Sequence, residues 1–408
     1  MRALYITGSC LIKNTSANMS HNGYIQGLIE NGVDVDIIMA KDSWGETDPA
    51  FSLRTQARYY IYDSVSFKDL IKNKAKKGFD KTVIETNAQP DTANISAQKK
   101  TMDLRGLAKK IFYTLFPNDP LYPLEEKWLK TACRFKNNKE YDLVISNSSP
   151  AASHKLVSIL KNKKSIKCKK WIQIWEDPWY YDLYGGHTKA QLEEEHRLLR
   201  EGDVIYYVSP LTLMYQKRHF PDCAEKMNFI PLPAFDYTFE KQIRYTNDSF
   251  GYFGDYYTQT RNLEPFYKAA KKTGVHAYII GDTNLKLQSD DRIKILSRIT
   301  LDELSKYQKE TYALVNLCNL KGGQIPGKIY HYSVTRHPIL FILDGTDEEK
   351  EQIRKYFSKF DRYIFCDNDE DSIASSIQKI ICTNGIENKP VEDFYPKSII
   401  KQLLKETA

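Results

Sequence analysis

One pattern runs through this chain twice: short apolar runs of strand length alternate with helix-period segments, stop at a Pro-rich aromatic interruption, and begin again. Strands that alternate with helices at this spacing demand a parallel sheet, because each helical crossover returns the chain to the same sheet end. The first series reads as an apolar run from Arg2 to Thr7, a loop, the helix-like "MSHNGYIQGLIENG" ending on Gly32, and the strand "VDVDIIM". After an irregular stretch come a strand Leu143 to Ser146, a helix from Ala151, a strand Trp171 to Ile174, a helix Gln191 to Arg200 and a strand Val204 to Val208. The interruption is "IPLPAFDYTFEKQIRYTNDS". Beyond it the spacing predicts strands at 250–253, 276–280, 312–317, 338–343 and 362–365, with helices at 262–272, 301–310, 327–335, 347–358 and 371–381.

The expected fold class is therefore α/β, with two Rossmann-like, doubly wound parallel-sheet domains facing a cleft. The boundary falls near Pro233, giving domains over 1–232 and 233–385 and a terminal helix in 386–408 that packs back toward the first domain. Ligands of such folds bind at the carboxyl ends of the strands, so the cleft is where a site is expected. The length of 408 residues suits two domains.

The formal net charge of +7 is concentrated between Lys68 and Lys110, inside a basic, insertion-like stretch of about 64–112. A local basic run of this kind is either a solvated surface or a contact for an anionic membrane, and it does not resemble a nucleic-acid arm. The seven cysteines are scattered without a C-x-x-C pair, which argues against a disulfide framework or zinc site. No run approaches the ~20 apolar residues of a spanning helix. The expected setting is cytoplasmic, peripheral at the inner membrane face if it touches a membrane at all.

Several ordered segments resemble one family. "YDLVISNSSPAASHKLVSIL" and "WIQIWEDPWY" in the first half, with "GYFGDYYTQTRNLEPFYKAA", "ILSRITLDEL" and "IPGKIYHYSVTRHPIL" in the second, are similar to GT-B-fold glycosyltransferases of the large family 4 type. The resemblance implies a retaining, metal-independent transfer of a sugar from a nucleotide-sugar, a UDP-sugar by default, to a glycan or lipid-linked acceptor. Alternatives are a catalytically silent glycan-binding or scaffold protein on the same fold and, less well matched, a nucleotide-sugar epimerase.

Such a donor brings a diphosphate leaving group, which backbone amides at a helix start and one or two cations can stabilise. Gly254 and Asp255 follow a predicted strand and Arg261 opens the next helix; the resemblance gives Arg261 and Lys328 the diphosphate. Gln324, Ile325, Pro326 and Gly327 lead into Lys328, with proline suited to a helix start and glycine leaving nearby amides uncovered. Arg298 and Ile299 fall where the family holds the nucleobase through main-chain groups. Gly8 is the expected close-approach residue of the N-terminal loop, where Ala17-Asn18 replaces a frequent glycine pair. The family commonly carries two glutamates eight positions apart; here Gly323 and His331 stand in their places. His331 can still bond a ribose hydroxyl and, if protonated near neutral pH, add charge to the phosphate site. In the first domain, His154 and Asp177 could orient or deprotonate an acceptor hydroxyl. The alternatives are a satisfied helix histidine and an Asp-Pro turn residue. Asp367-Asn368-Asp369 forms a D-x-D triplet, read as a strand end and helix cap rather than a metal site.

Overall fold

The structure is a computed structural model that describes residues 1–48, 51–64, 121–183, 187–235, 248–321, 323–383 and 388–407. Apart from residue 64, the basic stretch expected at about 64–112 lies outside the described residues.

Each half of the chain builds its own parallel sheet. The first has the order β3-β2-β1-β4-β5-β6-β7, from β1 (Arg2–Ile6), β2 (Asp34–Ala40), β3 (Arg58–Tyr62), β4 (Glu140–Asn147), β5 (Lys167–Trp175), β6 (Val204–Tyr207) and β7 (Met227–Phe229). The second has the order β10-β9-β8-β11-β12-β13, from β8 (Ser249–Phe253), β9 (His276–Ile280), β10 (Ile293–Leu296), β11 (Ala313–Leu317), β12 (Ile339–Leu343) and β13 (Tyr363–Asp367). The order reverses beside β1 and beside β8, so the loops that leave these strands open at the topological switch points.

The helices of the first half are α1 (Ser16–Glu30), α2 (Glu126–Ala132), α3 (Ala152–Asn162), α4 (Lys189–Glu201) and α5 (Pro210–His219). Those of the second are α6 (Glu264–Thr273), α7 (Leu301–Glu310), α8 (Lys328–Ser333), α9 (Asp347–Phe357), α10 (Glu370–Cys382) and α11 (Pro396–Thr407). Central strands such as β12, "ILFIL", are buried along their whole length, as continuous apolar runs between two helix layers must be. Strands β3, β7 and β10 were not expected from the periodicity. Each is an edge or near-edge strand, short or half-exposed, and so lacks an unbroken apolar run.

Helix α11 docks on the first domain although it ends the second. Ile399, Ile400 and Leu403 are buried in the same core as Tyr24, Ile25 and Leu28 of α1. Gly27 makes the contact close: a Cβ there would lie 2.2 Å from the Pro396 carbonyl oxygen and 2.6 Å from Ile400 Cγ1. Tyr206 donates to Glu406 at 2.9 Å, and Asn31 Nδ2 donates to the Lys397 carbonyl at 3.0 Å. The chain passes between the sheets after Phe229, and this passage is held to α1 by Tyr24, whose hydroxyl donates to the Pro231 carbonyl at 3.1 Å.

Candidate functional site

The second domain supplies a group of cations at the end of β8. Gly254 follows the strand, and a Cβ there would come within 3.3 Å of Lys328 Nζ, so the glycine leaves room for the ammonium. Lys328, at the start of α8, donates to the Phe253 carbonyl. Its side chain is open to the cleft but walled by protein. The resulting desolvation, with Arg261 and Arg298 nearby, lowers its pKa to about 8 against the opposing pull of Asp255. Arg261 is held by Asn319 Oδ1 at 2.6 Å and reaches the Asp255 carbonyl at 3.3 Å. Arg298 pairs with the Asp255 carboxylate, which also accepts from the Asp282 amide at 3.0 Å. Arg261, Arg298 and Lys328 therefore gather around Gly254 and Asp255, while Ile299 packs into the neighbouring apolar core.

The first domain supplies acids from the loop after β5. Asp177 and Asp182 both accept from Gln324 Nε2 of the second domain, the latter at 3.2 Å. The Asp177 side chain is open to the cleft but walled by protein; the resulting desolvation, with Asp182 adding repulsion, raises its pKa to about 6, and Gln324 offsets part of this. Beside it, Glu176 is raised well above the usual carboxylate range by burial and then by the Asp177 charge. Glu176 and Asp182 were not singled out in the sequence. The only local signal was their closeness to the Asp-Pro turn, which reads equally well as loop polarity.

Beneath these acids runs a buried polar chain. Asn147 Nδ2 donates to the Tyr5 hydroxyl at 2.8 Å, so the Tyr5 proton goes to His21 Nδ1 at 2.9 Å. That leaves Nε2–H of His21 facing Thr7 Oγ1 at 3.1 Å and the Ser149 carbonyl at 3.3 Å. Burial lowers the His21 pKa to about 4, which agrees with the neutral tautomer this chain requires.

Three expected site residues take different places. His154 is 0% exposed, stacked on Trp175 at 4.1 Å and bonded through Nδ1 to Ser146 Oγ at 2.7 Å, so the structure does not open it to the cleft. Burial alone takes its pKa to about 3. Gly8 is a close-approach residue, but its neighbour is protein: a Cβ would meet Pro150 Cγ at 2.8 Å, and its amide donates to Ser153 Oγ at 3.0 Å. His331 is kept neutral near pH 7, because burial and then Lys328 lower its pKa to about 4. The added positive charge expected of it is therefore absent.

The segment before Lys328 is shaped by the domain contact. Ile325 is buried, Pro326 precedes the turn, and Gly327 admits Leu232, whose Cδ1 would be 2.8 Å from an added Cβ. Gly323 sits at φ +69°, and a Cβ there would lie 2.6 Å from the Tyr215 ring of α5. Its carbonyl accepts from Ser209 Oγ at 3.2 Å and Thr212 Oγ1 at 2.9 Å. The backbone here is a docking surface for α5, with no room for a longer side chain. Nearby, Tyr330 donates to the Val208 carbonyl at 2.9 Å and Arg218 NH1 to Glu348 at 3.1 Å.

Asp369 caps α10 through Ser372 N at 2.8 Å, and Asp367 lies 3.4 Å from Lys350 and 3.6 Å from Arg354. The D-x-D triplet is thus engaged in capping and ion pairing. Among the described residues His196, Asp222 and Cys223 bring ligand-type atoms within 4.8 Å of one another. Asp222 already accepts from Arg200 at 2.8 Å, and the Cys223 thiol is raised by burial, so the group reads as an ion pair beside a thiol.

Two parallel α/β domains whose strand-end loops meet across a cleft define the GT-B fold. The chain is similar to an alpha-glucosyltransferase solved in complex with UDP and a 13-mer DNA containing a central A:G mismatch. That likeness has TM-score 0.55 and 13% identity, covering 100% of this chain and 99% of the other. Fainter likenesses are to UDP-GlcNAc 2-epimerase from Methanocaldococcus jannaschii (TM-score 0.49, 10% identity, 100% of both chains) and to AviGT4, a glycosyltransferase involved in Avilamycin A biosynthesis (TM-score 0.49, 9% identity, 100% and 96%). No protein-family profile and no curated protein sequence matches the chain.

Proposed function

We propose that this protein is a metal-independent, retaining glycosyltransferase of the family 4 type. It moves a sugar from a nucleotide-sugar to a glycan or lipid-linked acceptor in surface polysaccharide or glycoconjugate assembly, at the cytoplasmic membrane face. The carrying observation is the convergence of Arg261, Arg298 and Lys328 around Gly254 and Asp255 at a strand-end switch point, opposite the acids Asp177 and Asp182. A diphosphate leaving group is dianionic, and preorganised cations stabilise it most where charge develops. In this reading Lys328 and Arg261 hold the diphosphate, Arg298 and the Ile299 backbone face the nucleobase, and His331 bonds ribose as a neutral imidazole. Asp177 takes the proton of the acceptor hydroxyl as that oxygen bonds the anomeric carbon on the same face from which the phosphate oxygen departs, so that the bond to phosphate breaks with retention of configuration. No described helix is long and apolar enough to cross a membrane, so contact with a lipid-linked acceptor would be peripheral.

Calorimetry with UDP-, GDP- and ADP-sugars tests this reading. Binding of one donor is expected, weakened roughly tenfold or more in Lys328→Ala and in Arg261→Ala, since hydrogen bonds to charged groups contribute ~1.5–3 kcal/mol. Affinity should also fall as pH rises through about 8, where Lys328 loses its charge. Undiminished binding in both variants removes the site assignment. A second reading is favoured by Gly323, whose backbone is covered by α5 and presents no acid to a sugar. It makes the chain a silent glycan-binding or scaffold protein, with no affinity for any nucleotide-sugar.

A further inference from the structure

The acids of the first domain carry a feature that the glycosyl-transfer reading does not use. Glu176 Oε1 is shut off from water and has no hydrogen-bond partner in the structure, and Asn147 Oδ1 is in the same condition. The two side chains lie alongside each other, and Asn147 only partly offsets the upward pull on the Glu176 carboxyl. Asn147 cannot be turned over to solve this, because its Nδ2 is committed to Tyr5 and, through Tyr5, to the neutral His21. Both acceptor atoms are occluded, and the Asn147 amide, the side-chain donor that bears on the Glu176 carboxyl, leaves Oε1 without a bond. Buried acceptors without donors are rare in folded proteins, so a proton or a ligand's donor is owed to this place.

No described cation is available to supply it. Glu176, Asp177 and Asp182 make no ion pair among the described residues; the Gln324 amide is shared by the two aspartates, and the Asn147 amide offsets only part of the pull on Glu176. The groups facing Glu176 are Asp177 from its own loop, Tyr5 of β1 and Tyr24 of α1, with His21 of α1 behind Tyr5. None of them carries positive charge in this arrangement, and each carries negative charge if it ionises or stays neutral.

We propose that Glu176 is held as a neutral carboxylic acid and serves as the hydrogen-bond donor at the acceptor end of the cleft, beside an ionised Asp177 that acts as base. Adjacent carboxyls whose surroundings separate their protonation states are how one site offers both an acid and a base at a single pH. The proton of Glu176 satisfies Asn147 Oδ1 when the site is empty and turns to an acceptor oxygen when one binds. The acceptor hydroxyl's own proton goes to Asp177, so Glu176 gives up no proton over the turnover. This assignment deepens the glycosyl-transfer reading and depends on it for the role, but not for the protonation state.

The protonation state is read directly on the full chain without substrate, by infrared difference spectroscopy or by NMR of protein carrying 13C-labelled glutamate side chains. A protonated carboxyl signal is expected at pH 7.5 in the parent and is expected to fall in Glu176→Gln to the part left by Glu195, whose pKa burial raises to about 7. A signal in the parent no larger than in that variant overturns the proposal even if donor binding and transfer are confirmed. The role is read from kcat/KM with whichever nucleotide-sugar and acceptor the protein turns over. Gln can still donate a hydrogen bond, so Glu176→Gln should lose about threefold, against roughly 100-fold or more in Glu176→Ala, the scale of a removed preorganised hydrogen-bond donor. The alkaline fall of the parent's profile that comes from Glu176 ionisation should be missing in Glu176→Gln. Equal losses in the two variants, with circular dichroism showing both folded, would refute the donor role. If calorimetry shows no nucleotide-sugar binding at all, the glycosyl-transfer reading falls and the role with it, while the spectroscopic result still decides the protonation state.

Discussion

Replacing Gly323 with glutamate would place an acid where the resembled family carries one, and the structure says that the chain will resist it. The residue sits at φ +69°, where a side chain costs ~1–2 kcal/mol. A Cβ would stand 2.6 Å from Cδ2 and 3.0 Å from Cε2 of Tyr215. That ring cannot swing away freely, because its hydroxyl donates to Glu349 Oε1 at 3.2 Å and the Arg218 guanidinium lies over it at 6.0 Å. Overpacking of this kind costs ~1–3 kcal/mol, so the total loss for Gly323→Glu is about 2–5 kcal/mol. Urea unfolding of the full chain measures it as a fall in midpoint. Repeating the measurement in a Tyr215→Ala background separates the contributions: the ring clash should disappear, leaving the backbone cost of about 1–2 kcal/mol. Donor turnover should not rise in Gly323→Glu. A variant as stable as its parent to within about 0.5 kcal/mol, or one with increased transfer, would show that α5 does not hold this position as described.

The docking of α11 gives a second outcome. Gly27→Ala, which ordinarily favours a helix by ~1 kcal/mol, should here destabilise by about 1–3 kcal/mol, because the new methyl meets the Pro396 backbone; thermal unfolding reports the sign. Acid should also weaken the fold. His21, His154 and His337 are buried with pKa values lowered to about 4, 3 and 4, while their unfolded values lie near ~6.5. The unfolded chain then binds more protons, so stability is intact above pH ~6.5 and is lost as pH falls toward about 4, by up to roughly 3 kcal/mol per histidine. A urea midpoint that stays level between pH 7 and pH 5 would contradict that burial.

The architecture was legible because its central strands are buried on both faces and must be written as unbroken apolar runs. Runs such as "ILFIL" in β12 and "LYI" in β1 declare themselves without knowledge of their neighbours. The edge strands do not: β3, "RYYIY", is half-exposed, and β7 has only three residues. Helix α5 was also passed over, since it follows β6 directly and its role is to receive Gly323. The gathering of Lys328 and Arg261 near Gly254 and Asp255 follows from local motifs, since each opens or precedes a helix that starts at the strand-end face of the second sheet. Glu176 was not, because its character depends on Asn147 from β4, Tyr5 from β1 and His21 from α1, which only folding brings together. The enclosure of His154 depends on folding in the same way. A histidine in the first turn of a helix beside the cleft looks accessible until Trp175 and Ser146 are seen to enclose it.

The return of α11 to α1 also orders events at the ribosome. Ile399, Ile400 and Leu403 belong to the core of the domain that is made first, yet they are translated about 370 residues after the α1 residues they cover. At ~5–20 residues per second, the face of α1 that receives them waits for roughly twenty seconds to more than a minute with apolar surface uncovered. The first domain therefore cannot finish folding until α11 has emerged, and nascent chains stalled before Pro396 should be chaperone clients even when every strand of both sheets has emerged.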